Sequence, residues 1–305
     1  MEKIFLTSVL NFIGKLLKKF KAPSGIVSHI FSLKDSLVFA EIGKYVLDGN
    51  GKESNINILG EKKTPENSFI WTGWLQGMDN APNLVKACVR NIDEMSGDHR
   101  LIFITEDNLF EYLPDFSYTI YEKYLVNKIK PAHFMDLIRV ALLVKYGGLW
   151  IDPTVWITQE LDDCLFERDF VSYKGIPGKW HSNPADSMWC SFFMGGKSNS
   201  FFLSEVLEIL LNYWEKNDKA IDYFLLDYVM RFVYDNYKSA SVAVDTIARS
   251  DVNLFNLDAM LREPVSEKNI KAVRQELTKS YLFKLSYKGK KNGNSLYTYY
   301  LKDIN

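Results

Sequence analysis

The sequence predicts an α/β fold, and three observations carry that expectation. Residues 69–105 read as strand, helix, strand over about 35 residues, the size of a βαβ unit. Residues 131–146 form a helical run that is apolar nearly all round, and it passes through Gly147-Gly148 into two short apolar stretches, LWI and VWI. Helical and strand candidates then alternate rather than segregate, which favours α/β over other classes. The chain has 305 residues, 47% hydrophobic and 25% charged, so a packed core is expected and global disorder is not. Net charge is -1, without the basic excess of a nucleic-acid binder, so no nucleic acid is expected as a partner. Three cysteines, none in a CxxC, argue against a disulfide scaffold and for a reducing compartment. The 4 histidines have no HExxH or HxH spacing, so a zinc hydrolase has no support.

The first element is MEKIFLTSVLNFIGKLLKKFK. On a helical wheel Phe5, Leu6, Val9, Leu10, Phe12, Ile13, Leu16, Leu17 and Phe20 fall in one arc of roughly 160°. Lys3, Lys15, Lys18, Lys19 and Lys21 lie on the other side with Thr7, Ser8, Asn11 and Gly14, and Ile4 alone is misplaced. Two readings stay open: a helix lying in an anionic membrane surface through residues 1–21, or a helix docked on its own domain. Lys15 and the lack of an A-x-A site argue against a signal peptide, and no apolar run reaches the length of a membrane span. Residues 49–57 and 61–68 read as loops, so residues 1–65 are taken as an N-terminal helical segment and 66–305 as the main domain.

FIWTGW from Phe69 is a strand. A helix starts around Asn80, with Pro82 suited to its first turn, and runs to about Met95. LIFIT from Leu101 is the second strand, and Pro131 opens the apolar helix. LWID and VWIT follow around Pro153. FVSYK and MWCSFFMGG are further strand candidates, and the stretch between them, GIPGKWHSNPADS, is a loop. Helices are expected at 199–217, 219–237 and near 266–280, before the closing YLFKLSYKGKK.

Between Ala132 and Val144 of the apolar helix only Asp136 and Arg139 carry charge, three apart and so on one face. His133 lies three before Asp136. Burying such groups is costly unless they are paired or bound to something polar, so they are either a structural pair or a clamp on hydroxyls or phosphates. Asp152 ends the apolar strand LWI, with only Pro153 before Thr154. Asp-Pro-Thr is an ordinary turn sequence, but a carboxylate at the carboxyl end of a buried strand is also where α/β enzymes hold ligands. An acidic group there could bind a divalent cation bridging two phosphates.

The span HFMDLIRVALLVKYGGLWIDPTVW resembles the signature of glycosyltransferase family 32, and more narrowly that of its bacterial capsular polysaccharide synthesis proteins. FIWTGWLQGMDNAPNLVKACVRN, IDYFLLDYV and FKLSYK resemble other segments of the family in the same order, so the resemblance covers about residues 65–300. It implies a GT-A, Rossmann-like fold with an N-terminal amphipathic helix and added C-terminal helices. It also implies a nucleotide-sugar donor, a divalent metal (Mn²⁺ or Mg²⁺) and retention at the transferred sugar. Trp71 would stack on the base, with Trp74 and Gln76 nearby. Asp136 and Arg139 would hold donor hydroxyls and phosphates, with Gly148 beside them. Asp152 takes the place of the first Asp of a DxD motif, near ribose and metal, whereas Thr154 stands where the second Asp would be. Asp222 or Asp227 could replace the missing ligand, or Lys284, Ser286 and Lys288 could hold the diphosphate instead.

Asp136, Asp222 and Asp227 are the carboxylates available to support retention, alongside Arg139 and Asp152 in the catalytic set. Residues 175–187, with Trp180 and His181, are the expected acceptor lid. The resemblance implies transfer of a hexose, galactose or glucose, from a UDP-sugar to a lipid-linked oligosaccharide at the inner face of the cell membrane. Two other readings compete. A haloacid dehalogenase-like phosphatase would need a second Asp where Thr154 stands. A non-catalytic adaptor at the membrane surface would leave Asp136, Arg139 and Asp152 without a role.

Overall fold

The computed structural model describes residues 2–46, 68–177, 183–288 and 293–300. Two helices come first, α1 (Glu2–Lys19) and α2 (Ser24–Ile42). The βαβ unit follows as β1 (Phe69–Gly73), α3 (Asn83–Glu94) and β2 (Arg100–Ile104). Short helices α4 (Leu109–Tyr112) and α5 (Tyr118–Leu125) lead to α6 (Pro131–Tyr146). Next are β3 (Gly148–Ile151), β4 (Val155–Ile157), β5 (Val171–Ser172) and β6 (Phe193–Gly196). Helices α7 (Phe201–Lys216), α8 (Leu225–Asn236), α9 (Lys238–Asp245), α10 (Asn256–Leu261) and α11 (Glu267–Leu277) precede β7 (Leu282–Lys284) and α12 (Leu296–Tyr300).

The main sheet has the order β2-β1-β3-β6-β5, and β4 pairs with β7 in a separate antiparallel ribbon. β1 is parallel to β2 on one side and to β3 on the other. β3 and β6 are antiparallel, as are β6 and β5. The chain therefore leaves β1 in one direction and returns on its opposite side. That reversal opens a crevice beyond the carboxyl ends of β1 and β3, where open α/β sheets bind ligands.

The all-round apolar pattern of α6 is explained by its position. It packs between the sheet and α7, and Phe134, Leu137, Ile138 and Leu142 are fully buried. Trp71 and Trp150 from the sheet share that core with Phe202 and Leu207 of α7 and Tyr228 and Val229 of α8. The opposite sheet face, with Ile70, Leu149 and Ile151, packs with Ile92 of α3 and Val155 of β4. Gly147 and Gly148 end α6 and start β3 with φ of 72° and 96°. A Cβ on Gly148 would lie 2.1 Å from the Phe69 carbonyl oxygen, so only glycine permits β3 to meet β1 this closely.

Two expectations shift. The helix expected at 219–237 starts at Leu225, because the Asp222 side chain accepts the Phe224 amide at 2.9 Å and holds the preceding residues in a turn. MWCSFFMGG yields a strand only from Phe193. α2 replaces a stretch that has no clear pattern in the sequence. Its Val38 and Ile42, with Tyr45, join the main core beside α7 and α8. The expected boundary at 65/66 lies outside the described residues.

α1 docks on this layer by one edge. Gly14 sits against the Phe31 ring, where a Cβ would come within 2.7 Å of a ring carbon. Thr7 Oγ1 donates to the Ile221 carbonyl at 2.9 Å, and Lys3 pairs with Glu41 at 2.7 Å. The other edge is bare: Phe5, Phe12 and Phe20 are 71%, 67% and 73% exposed. Among the described residues no helix is long and apolar enough to cross a membrane.

Candidate active site

The crevice beyond β1 and β3 is a cleft of about 1070 Å³. Five of the segments that wall it carry the candidate residues. Trp74–Gln76 follow β1, and Asp136 and Arg139 face it from α6. The Asp152–Thr154 turn follows β3. Tyr223 and Asp227 come from the start of α8, and residues 284–288 come from the end of β7. α6 turns its N-terminal half towards the cleft. Asp136 and Arg139, one helical turn apart, share the edge that lines the cleft.

Asp152 is the centre of the charge network. Its Oδ1 accepts the Trp150 indole N–H at 2.8 Å and lies 3.3 Å from the Arg139 guanidinium. Its Oδ2 accepts from Lys284 Nζ at 2.7 Å. Burial pushes the carboxyl up, but Lys284 and Arg139 outweigh it and hold the pKa at about 2. Asp152 is therefore an anion at any ordinary pH.

Arg139 also lies 3.4 Å from Asp136, donates to the Ser191 carbonyl, and stands over the Trp150 ring at 5.1 Å. Its Nε has no acceptor among the described residues, so the cleft wall keeps a buried, unused donor. His133 approaches Asp136 at 3.8 Å from the neighbouring turn. On the opposite side Asp227 accepts the Trp189 indole N–H at 3.0 Å. Burial pushes it up to about 7, only partly opposed by that bond, and the Asp136 charge adds to the rise.

Most of the sequence-derived residues thus converge: Trp74, Gln76, Asp136, Arg139, Asp152, Thr154, Asp227, Lys284, Ser286 and Lys288 all line one cleft. Three do not. Trp71 is fully buried, its Nε1 donating to the Gly147 carbonyl at 2.9 Å among Phe69, Tyr112 and Tyr146. It cannot stack on a base, because the ligand crevice lies past the strand end and Trp71 sits mid-strand on the core face. Trp74, partly buried and edge-on to Tyr287 at 5.4 Å, is the aromatic of this segment that lines the cleft. Asp222 does not line the cleft; it is held in a buried pair with Lys34 at 3.1 Å. Gly148 begins β3, at the opposite end from Asp152, and serves the strand packing described above.

Trp180 and His181 lie outside the described residues. The described ends of their loop, including Gly175 and Ser187, line the cleft, and the Gly175 amide donates to the Ser187 carbonyl at 2.7 Å. Lys284, Ser286 and Lys288 share the cleft, and of the three only Lys284 lies in a strand. β7 stops at Lys284, and the Lys288 amide folds back on Ser286 Oγ at 3.2 Å. Sequence reasoning missed Trp189, Tyr223 and Tyr287. The aromatic richness was visible, but nothing in the spacing tells a cleft aromatic from a core one.

A divalent cation fits these residues poorly. Asp152 is occupied on both oxygens, Thr154 brings no charge and is buried, and Asp227 is largely protonated below neutral pH. Among the described residues there is no group of three or more His, Cys, Asp and Glu placed to hold a metal.

The family model described as capsular polysaccharide synthesis protein matches residues 23–302. The chain belongs to this family. As a capsular polysaccharide synthesis family member, it keeps α2 and every cleft segment inside the matched span, while α1 precedes it. Among curated proteins none matches the chain. Among solved structures it is similar to one titled PaToxG Glycosyltransferase, with a TM-score of 0.41 and 12% identity, covering 84% of this chain and 99% of that chain. That likeness is too distant to bear on the site.

Proposed function

We propose that this chain is a retaining glycosyltransferase of the GT-A type. It would move a hexose, galactose or glucose, from a UDP-sugar to a lipid-linked oligosaccharide in capsular polysaccharide synthesis. The observation that carries the reading is the cluster of Asp136, Arg139, Asp152 and Lys284 at the carboxyl ends of β1 and β3, inside a cleft of sugar-nucleotide size.

The chemistry of glycosyl transfer suits this cluster. Breaking a sugar–phosphate bond builds positive charge on the sugar and negative charge on the leaving diphosphate. Arg139, with its unused Nε, and Lys284 are fixed cations aimed at the second. Asp136 and Asp227 face the same space and can accept from sugar hydroxyls. Trp74 and Tyr287 offer apolar faces for a base or a sugar ring. The lid at 175–187 would exclude water, which otherwise hydrolyses the donor.

The lipid-linked acceptor would be met at the inner membrane face, with α1 resting on the bilayer. Exposed Phe5, Phe12 and Phe20 would enter the headgroup region, and exposed Lys15, Lys18 and Lys19 would meet anionic lipid.

A donor screen tests the reading. Release of nucleoside diphosphate is followed over a panel of nucleotide sugars for wild type and Asp152→Asn. One UDP-sugar is expected to turn over, with the variant slower by about 100-fold or more, because the Arg139–Lys284 array loses its anchoring charge. No turnover and no binding of any nucleotide sugar would return the chain to the adaptor reading.

A further inference from the structure

Asp152 and Lys284 come from segments 132 residues apart, and the fold joins them through several backbone ties. β4 and β7 pair with Val155 opposite Lys284, and the Leu285 amide donates to the Thr154 carbonyl at 2.8 Å. The Lys284 amide is tied in turn to the Leu254 carbonyl at 2.9 Å. The backbone on both sides of Lys284 is therefore fixed, and its ammonium stands over the Phe192 ring at 5.1 Å. The ammonium can reach Asp152 without searching for it.

The charge count around this turn is the second observation. A divalent ion is ordinarily held by several oxygen ligands, carboxylates prominent among them, and here residue 154 is a neutral, buried threonine. One carboxylate, Asp152, remains, and it faces one ammonium. A lysine has three N–H donors. One is used on Asp152 at 2.7 Å, and the group lines the cleft, so donors remain for a ligand. A metal ion entering against Asp152 would meet the Lys284 charge directly and would have to displace it.

We propose that the Lys284 ammonium, seated on Asp152, is a built-in counter-cation for the donor's diphosphate, so that nucleotide binding requires no divalent metal. This rests on the nucleotide-sugar reading above. Asp152 is then a positioning residue, which holds the ammonium in place. Arg139, linked to the same carboxylate, extends the positive surface along the diphosphate. With residue 154 neutral, the single carboxylate of the turn is already matched by the Lys284 ammonium and the Arg139 guanidinium.

The test is calorimetric binding of UDP to the purified full chain, in EDTA and in Mn²⁺, for wild type, Lys284→Ala and Lys284→Gln. Wild type is expected to bind with the same affinity in both buffers, within about twofold. Each variant should lose about tenfold or more, the value of a charge-assisted bond, and Mn²⁺ should not rescue it. Wild-type binding that EDTA abolishes and Mn²⁺ restores would overturn the inference and leave the donor reading standing. Variants that bind as well as wild type would also overturn it. Absence of UDP binding in both buffers would remove the donor reading and this inference together. The wild-type arms decide the metal question even where a variant folds poorly.

Discussion

Asp152, part-buried, and Asp227, buried, are two carboxylates of one cleft, and their surroundings push them in opposite directions. Asp152 has Lys284 and Arg139 against it and sits at about 2. Asp227 has one indole N–H and a nearby like charge, and sits at about 7. Such a split separates a permanent anion from a group able to give and take a proton near neutrality. It also makes stability depend on pH. Unfolded, Asp227 would ionise near 3.8, so between that value and about 7 the folded chain holds a proton that the unfolded chain has lost. The stability from this residue is full below about 4 and declines as pH rises to about 7, by something on the order of 4 kcal/mol. Asp152 acts the other way, and its contribution is lost only as pH falls from 3.8 through about 2. Asp227→Asn should flatten the slope between pH 5 and 7.5 in urea unfolding, and an unchanged slope would refute the assignment. The sequence made Asp136, Arg139 and Asp152 legible because charge is rare in apolar surroundings. It misled at Trp71, because one aromatic in a strand looks like another until the strand's core face and carboxyl end are known.

At the level of elements, the Lys34–Asp222 pair fixes α2 to the turn before α8. Lys34 is 1% exposed, at 3.1 Å from Asp222 and over the Tyr228 ring at 5.2 Å, and Tyr228 bonds Asp35. Lys34→Met leaves Asp222 buried without its cation and should cost about 3–5 kcal/mol. Adding Asp222→Asn removes the stranded charge while keeping an oxygen for the Phe224 amide. The double variant should therefore recover part of the loss in urea unfolding. A double variant as unstable as the sum of its parts would argue that the pair does not interact. The βαβ unit and α6 were legible because their periodicity and length match one buried environment each. α2 was not: in SGIVSHIFSLKDSLVFAEI apolar residues are spread around the wheel rather than gathered in a stripe, and its one buried lysine looks like a surface residue. The partner of that lysine lies 188 residues away in sequence, beyond any local pattern.

For the whole molecule the decisive surface is the bare edge of α1. The sequence posed membrane contact and self-docking as alternatives; the helix docks on the protein by one edge and leaves the other bare. Thr7 and Gly14 face the protein, and Phe5, Phe12 and Phe20 face out. Each phenylalanine buried in a bilayer interface would contribute up to about 1.5–3 kcal/mol. Replacing all three by serine should lower binding to phosphatidylserine vesicles by about tenfold or more in co-sedimentation. Its melting temperature and donor hydrolysis should stay unchanged. Equal binding by the variant would sink the membrane reading. Deleting residues 1–21 is a poorer test, since it also removes the bonds of Lys3 and Thr7 to the rest of the protein.

The turn before α8 is gripped from outside by α1, through the Ile221 carbonyl, and by α2, through Asp222. Within the next five residues it supplies Tyr223 and Asp227 to the cleft. The N-terminal hairpin therefore cannot open as a local event. Its cooperative unit includes one wall of the cleft, and whatever loosens the hairpin loosens that wall with it. In this chain, the part that would meet the lipid and the part that would meet the sugar belong to one unfolding unit rather than to an anchor and an enzyme joined by a tether.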